Sequence, residues 1–430
     1  MKADLIVHNA GQLVTCASGG KKKKGAAMRE LGIIQNGALA AAGGRIVGVG
    51  SSSEILEDFE AEQTIDAGGK VVCPAFVECH THLVFAGDRL DEFELKIKGA
   101  DYLEILGAGG GILSTVRRTR EASLEELTGQ SRKRLDKMLA LGVTSCEIKT
   151  GYGLDLETEL KMLEAIAALD LAHPVDVVPT FLPAHAFPPE YKGKENEYVE
   201  LICREMIPKA AGWYADSHFA GKQSPDPASA ARPFFIDVFC EKNAFDLESS
   251  RRVLETAKRF GFKIKAHVDE FTNLGGARLA VSLGAVSIDH LDAISGEEIE
   301  FLAKSETVGV VTPTVNFNFG AKEYADARRL IDAGCAVAIS TDYNPGSAPC
   351  PSLPNAMAIA CRYQKILPAE ALAAATVNAA FAAGLGGEKG SLESGKAADF
   401  LILDTGDYRE ICYEFGGNMI AGVYKNGRRI

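Results

Sequence analysis

The sequence predicts a (β/α)₈ barrel, or TIM barrel, flanked by a small β-sandwich domain that both chain ends build together. Two observations lead to this fold class. From residue 71 to residue 390, short apolar runs rich in β-branched residues alternate with amphipathic helical segments, as in a parallel sheet covered by helices. Eight such runs are present, and eight is the strand number of a closed barrel.

The apolar runs predicted as barrel strands are VVCPAFVECHTH, GVTSCEIKT, DVVPTFLPAHA, FIDVFCE, FKIKAHVDE, AVSIDHL, VGVVTPT and AVAISTDYN. The segments between them carry helix signals. Ser123 with Glu126 and Ser295 with Glu298 have the spacing of capping boxes, which predicts a helix start at each site. Gly142 is placed to end a helix just before the second strand.

The two chain ends differ from the middle of the chain. Residues 1–70 and 391–430 contain short alternating segments such as RIVGVG and ADFLILD, so we predict that they pair into one composite β domain beside a barrel of residues 71–390. Residues 212–235 are rich in Ser, Pro and Ala, which predicts an inserted loop. We expect His218 in that loop to be a surface residue and not a metal ligand.

Composition excludes several classes of partner. The chain has 430 residues with 46 basic and 58 acidic side chains, a net charge of −12, and so lacks the positive field that binds nucleic acid. Neither a signal peptide nor a membrane-spanning segment is predicted. Ten cysteines occur without a C-x-x-C pair, which is typical of a protein in a reducing cytoplasm.

A histidine pair at the end of the first predicted strand indicates a metal site. His80 and His82 are two positions apart, so a strand directs both imidazoles to one face, and imidazole suits zinc, iron, nickel and copper. The pair alone is a weak signal. His267 and Asp342 end two other predicted strands, and strand ends of a barrel meet at one mouth. Three histidines and a carboxylate leave room for water on the ion, as in catalytic sites.

Other polar residues follow the ends of predicted strands, and they are His185, Glu241, Glu270, His290 and Asn344. The alternative interpretation is that the histidines are ordinary core residues satisfied in polar corners. We favour the metal site because four independent placements at one rim are hard to explain otherwise.

Several stretches extend this pattern over nearly the whole chain: FVECHTHLVFAGDR, AGGGILSTVRRTR, EIKTGYGLDLETELKML, DVFCEKNAFDL, HVDEF, DHL, STDYNPGS and GSLESGKAADFLILD. Together they resemble the imidazolonepropionases, a family of the amidohydrolase superfamily. The resemblance implies hydrolysis of 4-imidazolone-5-propanoate to N-formimidoyl-L-glutamate in histidine degradation. It also implies a cytoplasmic homodimer with one zinc or iron ion per chain.

The resemblance implies roles for individual residues. The metal ligands would be His80, His82, His267 and Asp342, and the substrate contacts would be Arg89, Tyr152, His185, Glu270, Asn344, Gly346 and Ser347. The planar fork of Arg89 suits a carboxylate arm on the substrate. Without the resemblance, a surface ion pair of Arg89 with Asp91 or Glu92 would be the favoured interpretation. Tyr152, between two glycines, is either an exposed loop aromatic or a mobile substrate contact.

Proton transfer has three candidate residues. Glu270 and Asp342 are the candidate bases, and the sequence does not rank them. His290 would stabilise the oxyanion or assist proton transfer. Glu241 and His290 could in principle hold a second metal, although the resemblance favours one ion. Alternative functions are another amidohydrolase acting on a small cyclic amide or amidine, and a non-enzymatic binding protein on the same scaffold.

Overall fold

A computed structural model of the chain describes residues 1–99, 110–221 and 231–430. In chain order its strands are β1 (Lys2–Val14), β2 (Ile33–Ala42), β3 (Arg45–Ser51), β4 (Glu60–Asp66), β5 (Val71–Pro74), β6 (Phe76–Glu78), β7 (Val143–Lys149), β8 (Asp176–Ala184), β9 (Phe235–Cys240), β10 (Lys263–Ile264), β11 (His267–Val268), β12 (Ser287–His290), β13 (Val308–Val311), β14 (Ala336–Ile339), β15 (Phe400–Leu403), β16 (Ile420–Lys425) and β17 (Arg428–Arg429).

Helices separate the barrel strands, as the alternating pattern predicts. The α-helices span Ser52–Asp58, Leu90–Ile97, Ile112–Glu121, Leu124–Ala140, Leu156–Ala172, Glu195–Leu201, Ile207–Asp216, Leu247–Arg259, Gly276–Ser282, Gly296–Ala303, Pro313–Phe319, Ala327–Asp332, Leu353–Tyr363, Pro368–Ala375, Val377–Ala382 and Glu410–Tyr413. Shorter helical turns of other types span Gly25–Arg29, Pro189–Tyr191, Ile202–Met206 and His218–Ala220. The capping boxes at Ser123 and Ser295 are both formed.

The barrel strands pair in parallel from β6 round to β14, with the short β10 beside β9. The ring is closed by a parallel bridge between Thr81 and Tyr343, and the His82 N–H donates to the Tyr343 carbonyl oxygen at 3.0 Å. All eight predicted runs contain a barrel strand. The predicted barrel is therefore confirmed, and its closure brings the first and last strand ends together.

The chain ends form the second sheet. Its strands run in the order β17, β16, β15, β5, β1, β2 and β3, and β4 pairs with β1. The first half of the long strand β1 pairs with β4 and its second half pairs with β5, because a bulge next to Asn9 bends the strand between them. The predicted sheet from both chain ends is confirmed. The exact division of the chain into two domains stays a prediction.

Two details of the sequence interpretation are corrected. The run that begins at Val71 was predicted to enter the barrel, but Val71–Pro74 pairs with β1 and β15 in the chain-end sheet. At Ala75 the chain leaves the chain-end sheet, and the barrel strand, which pairs with β7, starts at Phe76. Residues 212–216 were assigned to a loop, yet they form the last turn of the helix Ile207–Asp216.

The rest of the predicted loop at 212–235 falls partly outside the described residues, which omit 222–230. His218 lies 2.8 Å through its Nε2 from Asp170 Oδ2 and is partly buried beside the barrel wall. It belongs to no potential metal-binding group in the described ranges. None of the described helices combines the length and apolar character needed to cross a membrane.

Candidate metal centre and active site

A hydrogen-bonded seam joins the ends of β6 and β14 beneath the barrel mouth. The buried Glu78 carboxylate accepts hydrogen bonds from the Thr341 backbone N–H at 3.1 Å and from the Thr341 hydroxyl at 2.7 Å. The Ser340 hydroxyl lies within reach of both Glu78 and the His80 carbonyl oxygen. The seam therefore fixes His80, on the first strand, beside Asp342, on the last.

Four side chains converge above this seam. His80 Nε2 and His82 Nε2 lie 3.3 and 3.5 Å from Asp342 Oδ1, and His82 Nε2 lies 3.1 Å from His267 Nε2. Ligands at about 2.0–2.2 Å from a tetrahedral ion lie roughly 3.4 Å from one another. The ligand atoms of His80, His82 and Asp342 also lie within 4.8 Å of one another, as do those of His80, His267 and His290.

Several nitrogen and oxygen atoms in and beside this cluster are buried without a hydrogen-bond partner among the described residues. They are His80 Nε2, His290 Nε2 and Asp342 Oδ1. Burial lowers the pKa of His80, His82 and His290 well below the usual value, so each ring presents a lone pair at neutral pH. Buried lone pairs without donors are costly, and a cation would satisfy them. The donor set therefore fits a zinc or iron ion.

Two carboxylates orient the ligand histidines from below. Asp289 Oδ2 lies 2.7 Å from His80 Nδ1, and Asp237 Oδ1 lies 3.0 Å from His267 Nδ1. Each carboxylate accepts a hydrogen bond from Nδ1–H, which leaves Nε2 free as the ligand atom. Metal-binding histidines are commonly held in this way, because the second contact sets both the tautomer and the ring orientation.

A buried lysine balances these carboxylates. Lys149 Nζ lies 2.8 Å from Asp237 Oδ2, 2.8 Å from Glu147 Oε1 and 3.9 Å from Asp289 Oδ2. Burial alone would lower the pKa of Lys149, but the negative charges of Asp237 and Glu147 outweigh it and raise the pKa. The interior of the barrel is therefore a paired network of charges beneath the ligand cluster.

Glu270 and His290 lie beside the ligand cluster. His290 Nδ1 is 3.9 Å from Glu270 Oε2 and 3.2 Å from the Thr312 hydroxyl. Burial, and next the charge of Asp342, raise the pKa of Glu270 well above its usual value. The structure thus places a carboxyl group and a neutral imidazole side by side at the mouth, where both can move protons.

Glu241 braces the loop after β11. Its carboxylate accepts hydrogen bonds from three backbone N–H groups: those of Phe271 at 2.9 Å, Thr272 at 3.0 Å and the neighbouring Lys242 at 2.7 Å. Its oxygens are engaged in holding the residues that follow Glu270. Within the described chain, Glu241 belongs to no group with metal-binding spacing. The geometry therefore disfavours the second metal that Glu241 and His290 could have held.

Arg89 reaches from the segment after β6 to the turn after β14. Its Nε donates to the Thr115 hydroxyl at 2.9 Å, and its side chain is mostly buried. A Cβ atom on Gly346 would lie 2.2 Å from Arg89 Nη1, so glycine is required where the guanidinium passes. Glu92 is 3.8 Å away and bonds Lys96 at 2.9 Å. The alternative of a surface ion pair for Arg89 is thus met only by this 3.8 Å contact with Glu92, whose side chain is buried.

Asn344 stabilises the turn beneath Arg89. Its Oδ1 accepts hydrogen bonds from the Gly346 and Ser347 backbone N–H groups, both at 2.8 Å. Its Nδ2 donates to the Asp342 carbonyl oxygen at 2.8 Å and to the Ser347 hydroxyl oxygen at 2.6 Å. The Asn344 amide is thus used within the turn, whereas the Ser347 O–H has no acceptor among the described residues and can donate to a ligand.

Tyr152 and His185 form the aromatic side of the mouth. Tyr152 is buried, with its ring centroid 5.8 Å from His82 and 5.4 Å from His185, so the exposed alternative for Tyr152 was wrong. His185 stacks on His82 at 4.8 Å and contacts the Gly151 carbonyl oxygen through Nδ1 at 2.9 Å. Burial lowers the pKa of His185 to about 3, so its ring is neutral.

Glu159 holds the turn that carries Tyr152. Its carboxylate accepts hydrogen bonds from the Gly153 and Leu154 backbone N–H groups at 2.8 and 2.9 Å, and from Gly151 at 3.1 Å. Burial raises the pKa of Glu159 to about 7, although these hydrogen bonds oppose the rise. Tyr152 is therefore held by a buried carboxyl group on the following helix.

Sequence reasoning missed the supporting residues of this site. Asp237, Asp289, Lys149 and Glu147 lie inside predicted strands, and Glu159 lies inside a predicted helix. The available signal was a charged residue within an otherwise apolar strand, as in FIDVFC and SIDHL. A charge in such a position is rarely buried unless it is paired, so it indicates a partner inside the barrel.

The backbone at the mouth is strained at several strand ends. Asp269, His290, Leu291 and Asp342 have φ angles of 55°, 83°, 70° and 49°, in the left-handed region that side chains disfavour. Such residues each cost roughly 1–3 kcal/mol and cluster at functional sites. At His290 and Asp342 the strain is located at two of the predicted site residues.

Sequence comparisons identify similar proteins over the whole chain. The model of the amidohydrolase family matches residues 244–430. The imidazolonepropionase of Chloroflexus aggregans is 52% identical over 425 residues, which cover 99% of this chain and 98% of that protein. The imidazolonepropionase of Herpetosiphon aurantiacus is 49% identical over 426 residues, or 99% and 97% of the two chains.

Solved structures share the fold at much lower identity. An adenosine deaminase from Xanthomonas campestris with bound zinc has a TM-score of 0.73 and 19% identity, covering 100% of this chain and 93% of its own. The guanine deaminase of E. coli has a TM-score of 0.71 and 15% identity, covering 99% of both chains. At these identities the likeness concerns the fold alone.

Proposed function

This chain belongs to the imidazolonepropionase family of amidohydrolases, and from that premise we propose how its barrel mouth hydrolyses 4-imidazolone-5-propanoate. The reaction cleaves a ring C–N bond and yields N-formimidoyl-L-glutamate. The observation that carries the proposal is the cluster of His80, His82, His267 and Asp342, whose ligand atoms face one another at 3.1 to 3.5 Å.

We assign one divalent metal, zinc or iron, to these four residues. The buried atoms His80 Nε2 and Asp342 Oδ1, which have no hydrogen-bond donor among the described residues, support the assignment. A bound ion of this kind lowers the pKa of a coordinated water from ~15.7 toward ~7 and polarises a carbonyl oxygen. Asp289 and Asp237 hold His80 and His267 in the tautomer that this requires.

Proton transfer is assigned to Glu270 and Asp342, with His290 beside them. Glu270 Oε2 lies 3.9 Å from His290 Nδ1, and burial raises the pKa of Glu270. A raised pKa makes the carboxylate a stronger base, so Glu270 can accept a proton from water and return it to the leaving ring nitrogen. His290 is neutral at pH 7 and can donate a hydrogen bond to the oxygen on which negative charge develops.

The substrate carboxylate is assigned to Arg89. The guanidinium is anchored through Nε at Thr115, and among the described residues its terminal nitrogens have only the 3.8 Å contact of Nη1 with Glu92, so they can make a bidentate contact. It also passes Gly346, where a Cβ atom would lie 2.2 Å from Arg89 Nη1, so it lies against the turn that follows Asp342. We therefore infer that Arg89 binds the arm of a substrate whose ring lies at the ligand cluster.

The remaining substrate contacts surround that ring. We assign them to Tyr152, His185, Glu270, Asn344, Gly346 and Ser347. The Ser347 O–H is a free donor, and Gly346 leaves space for Arg89. Asn344 acts through the turn that it stabilises, since its amide is already bonded within the turn.

A homodimer in the cytoplasm is part of the same proposal. The ten cysteines are free in the structure, which accords with a reducing compartment. Dimerisation rests on the family likeness, and sedimentation of the purified protein tests it.

Product analysis tests the proposed reaction. Metal-loaded protein is incubated with freshly prepared 4-imidazolone-5-propanoate, and the products are identified by mass spectrometry. We expect N-formimidoyl-L-glutamate, and no product from protein treated with a chelator. Release of ammonia with an intact ring would indicate a deaminase on the same fold. Binding without any product would indicate a non-catalytic member of the family.

A further inference from the structure

Two cysteines far apart in sequence meet outside the metal site. Cys361 lies in the helix Leu353–Tyr363 and Cys412 in the short helix Glu410–Tyr413. The two helices pack against each other, and each thiol affects the pKa of the other. Since no C-x-x-C motif links them, the sequence contained no sign of this pair.

A side chain between the two cysteines fastens these helices together. Arg362 donates from Nη1 to the Cys412 carbonyl oxygen and from Nη2 to the Tyr413 carbonyl oxygen, both at 2.8 Å. Cys412 and its neighbour Ile411 are also part of the main apolar core. Arg362 therefore fixes the backbone of Cys412 and Tyr413 against the helix that carries Cys361.

The pair opens onto a surface pocket. Cys361 and Cys412 both line a cavity of about 540 Å³, together with Arg362 and Arg409. Cys361 is partly exposed, whereas Cys412 is buried behind it. A small reagent that enters the pocket therefore reaches Cys361 first, with the second thiol within reach.

Cys361 differs from the other cysteines in its acidity. The hydrogen bond from Cys412 lowers the pKa of Cys361, and the charge of Arg362 acts in the same direction. Burial raises the pKa of the partly exposed Cys203 and Cys350, as it does for the buried cysteines of the core. Since the thiolate is the reactive form, Cys361 is the most nucleophilic of these sulfurs.

We propose that Cys361 and Cys412 form a modification site, a dithiol that hydrogen peroxide oxidises to an intramolecular disulfide. The Cys361 thiolate attacks one peroxide oxygen, the O–O bond breaks, and Cys361 becomes a sulfenic acid as hydroxide leaves. The Cys412 sulfur then attacks the Cys361 sulfur, the S–O bond breaks, and the hydroxyl leaves as water with the Cys412 proton. Two thiols supply the two electrons that reduce the peroxide to two waters.

The consequence is a covalent link between the barrel and the segment that leads into the last strands. Cys361 follows β14 in the barrel, and Cys412 lies between β15 and β16 of the chain-end sheet. The site is independent of the metal centre and of the reaction proposed above.

The test is peroxide oxidation of the zinc-loaded, full-length chain, followed by thiol titration and peptide mapping. We expect the chain to lose two of its ten thiols and to yield one cross-linked peptide pair that contains Cys361 and Cys412. Reduction with dithiothreitol should restore both. A full complement of thiols after treatment, or cross-links between other cysteines, would overturn the proposal.

Matched variants separate this pair from general oxidation. Cys361→Ser and Cys412→Ser should each abolish the cross-link, whereas Cys203→Ser, at a partly exposed thiol elsewhere, should leave it intact. Limited alkylation with iodoacetamide at neutral pH offers a second readout on the unmutated chain. Cys361 should react faster than Cys203, because a lowered pKa increases the fraction of thiolate and a raised pKa decreases it. Equal rates would contradict the proposed reactivity of Cys361.

Discussion

The interior of the barrel and its mouth both bury polar groups, but they treat them differently. In the interior, Lys149 contacts Asp237 and Glu147 at 2.8 Å, so each charge has a partner. At the mouth, His80 Nε2 and Asp342 Oδ1 have no hydrogen-bond donor among the residues described. A folded protein keeps such atoms unsatisfied when a ligand completes them. The paired charges of the interior thus support the site, and the unpaired atoms at the mouth are those that bind a ligand.

The two regions are connected by a few hydrogen bonds, one from His80 to Asp289 and two from His267 to Asp237. Asp289 and Asp237 each contact a ligand histidine with one carboxylate oxygen, and Asp237 also contacts Lys149. A change in the interior should therefore affect the mouth only in part, whereas loss of a ligand should empty the site. The following predictions test this ranking, from the largest effect to the smallest.

Replacement of a ligand should have the largest effect. In His267→Ala, we expect loss of the bound metal and a fall in kcat/KM of more than about 100-fold, since even partners of metal ligands are worth 10–100-fold. Metal content is measured by elemental analysis. His173→Ala is the matched control, because His173 contacts Asp136 at 3.1 Å outside the mouth. A His267→Ala protein with normal metal content would remove His267 from the ligand set.

Arg89→Met should come next and should leave the metal in place. Loss of a desolvated charge partner costs roughly 2–5 kcal/mol, which lowers kcat/KM by about one and a half to three and a half powers of ten. Arg89→Lys should recover only part of the loss, because an ammonium lacks the bidentate fork.

Arg118→Met is a suitable control for Arg89→Met, since Arg118 donates to the Asp88 carbonyl oxygen on the same surface. A substrate analogue without the carboxylate decides the role of Arg89. Wild type and Arg89→Met should convert the analogue about equally poorly. A variant that is impaired as severely on the analogue as on the substrate would contradict the carboxylate assignment.

The pH dependence of stability should report on Glu159. Because its pKa is raised to about 7 in the folded state, the folded protein binds more protons than the unfolded chain between about pH 4.5 and pH 7. The stabilising contribution of protonated Glu159 is therefore present below about pH 4.5 and is lost as the pH rises through about 7.

Glu159→Gln cannot ionise and should lack this slope. From pH 5 to pH 8, the free energy of unfolding of wild type should fall relative to the variant by up to about 3 kcal/mol, measured with urea at each pH. Parallel stability curves for the two proteins would show that Glu159 has no raised pKa in solution.

Asp289→Asn should have the smallest effect of the four substitutions. The amide retains an acceptor for His80 Nδ1 but removes the charge, so we expect metal affinity to fall by about 10–100-fold. Chelator competition measures this affinity. Asp292→Asn carries the same substitution at a carboxylate that contacts Asn316 and Ala325, away from the ligand histidines. Equal losses in the two variants would show that Asp289 acts through the fold.

The sequence predicted the positions of the strands better than it predicted which strands and side chains contact one another. Runs such as AVAI and VGVV are apolar at every position, which is the pattern of a strand buried on both faces. Val71–Pro74 has the same texture, but its partners lie in the chain-end sheet. Local pattern identifies a strand without identifying the sheet it joins, so this strand was placed in the barrel.

The same difference holds for the candidate site, whose ligands could be predicted and whose supporting residues could not. His80, His82, His267 and Asp342 could be found because each ends a strand, and barrel geometry brings strand ends together. The supporting residues depend on side-chain contacts across the barrel, such as that of Lys149 with Asp237, which no sequence spacing reveals. The burial of Tyr152 also depended on Glu159, which lies on the following helix.

The seam between Glu78 and Thr341 has a consequence for the order of events during synthesis. A ribosome releases the first half of the seam long before the second, and the bonds that hold Glu78 span most of the barrel sequence. Long-range closure of this kind slows folding and leaves strand edges exposed in the incomplete chain. A nascent chain that ends before β14 carries all three ligand histidines but not Asp342, the carboxylate that completes the set, so the four-ligand site is complete only after the barrel has closed.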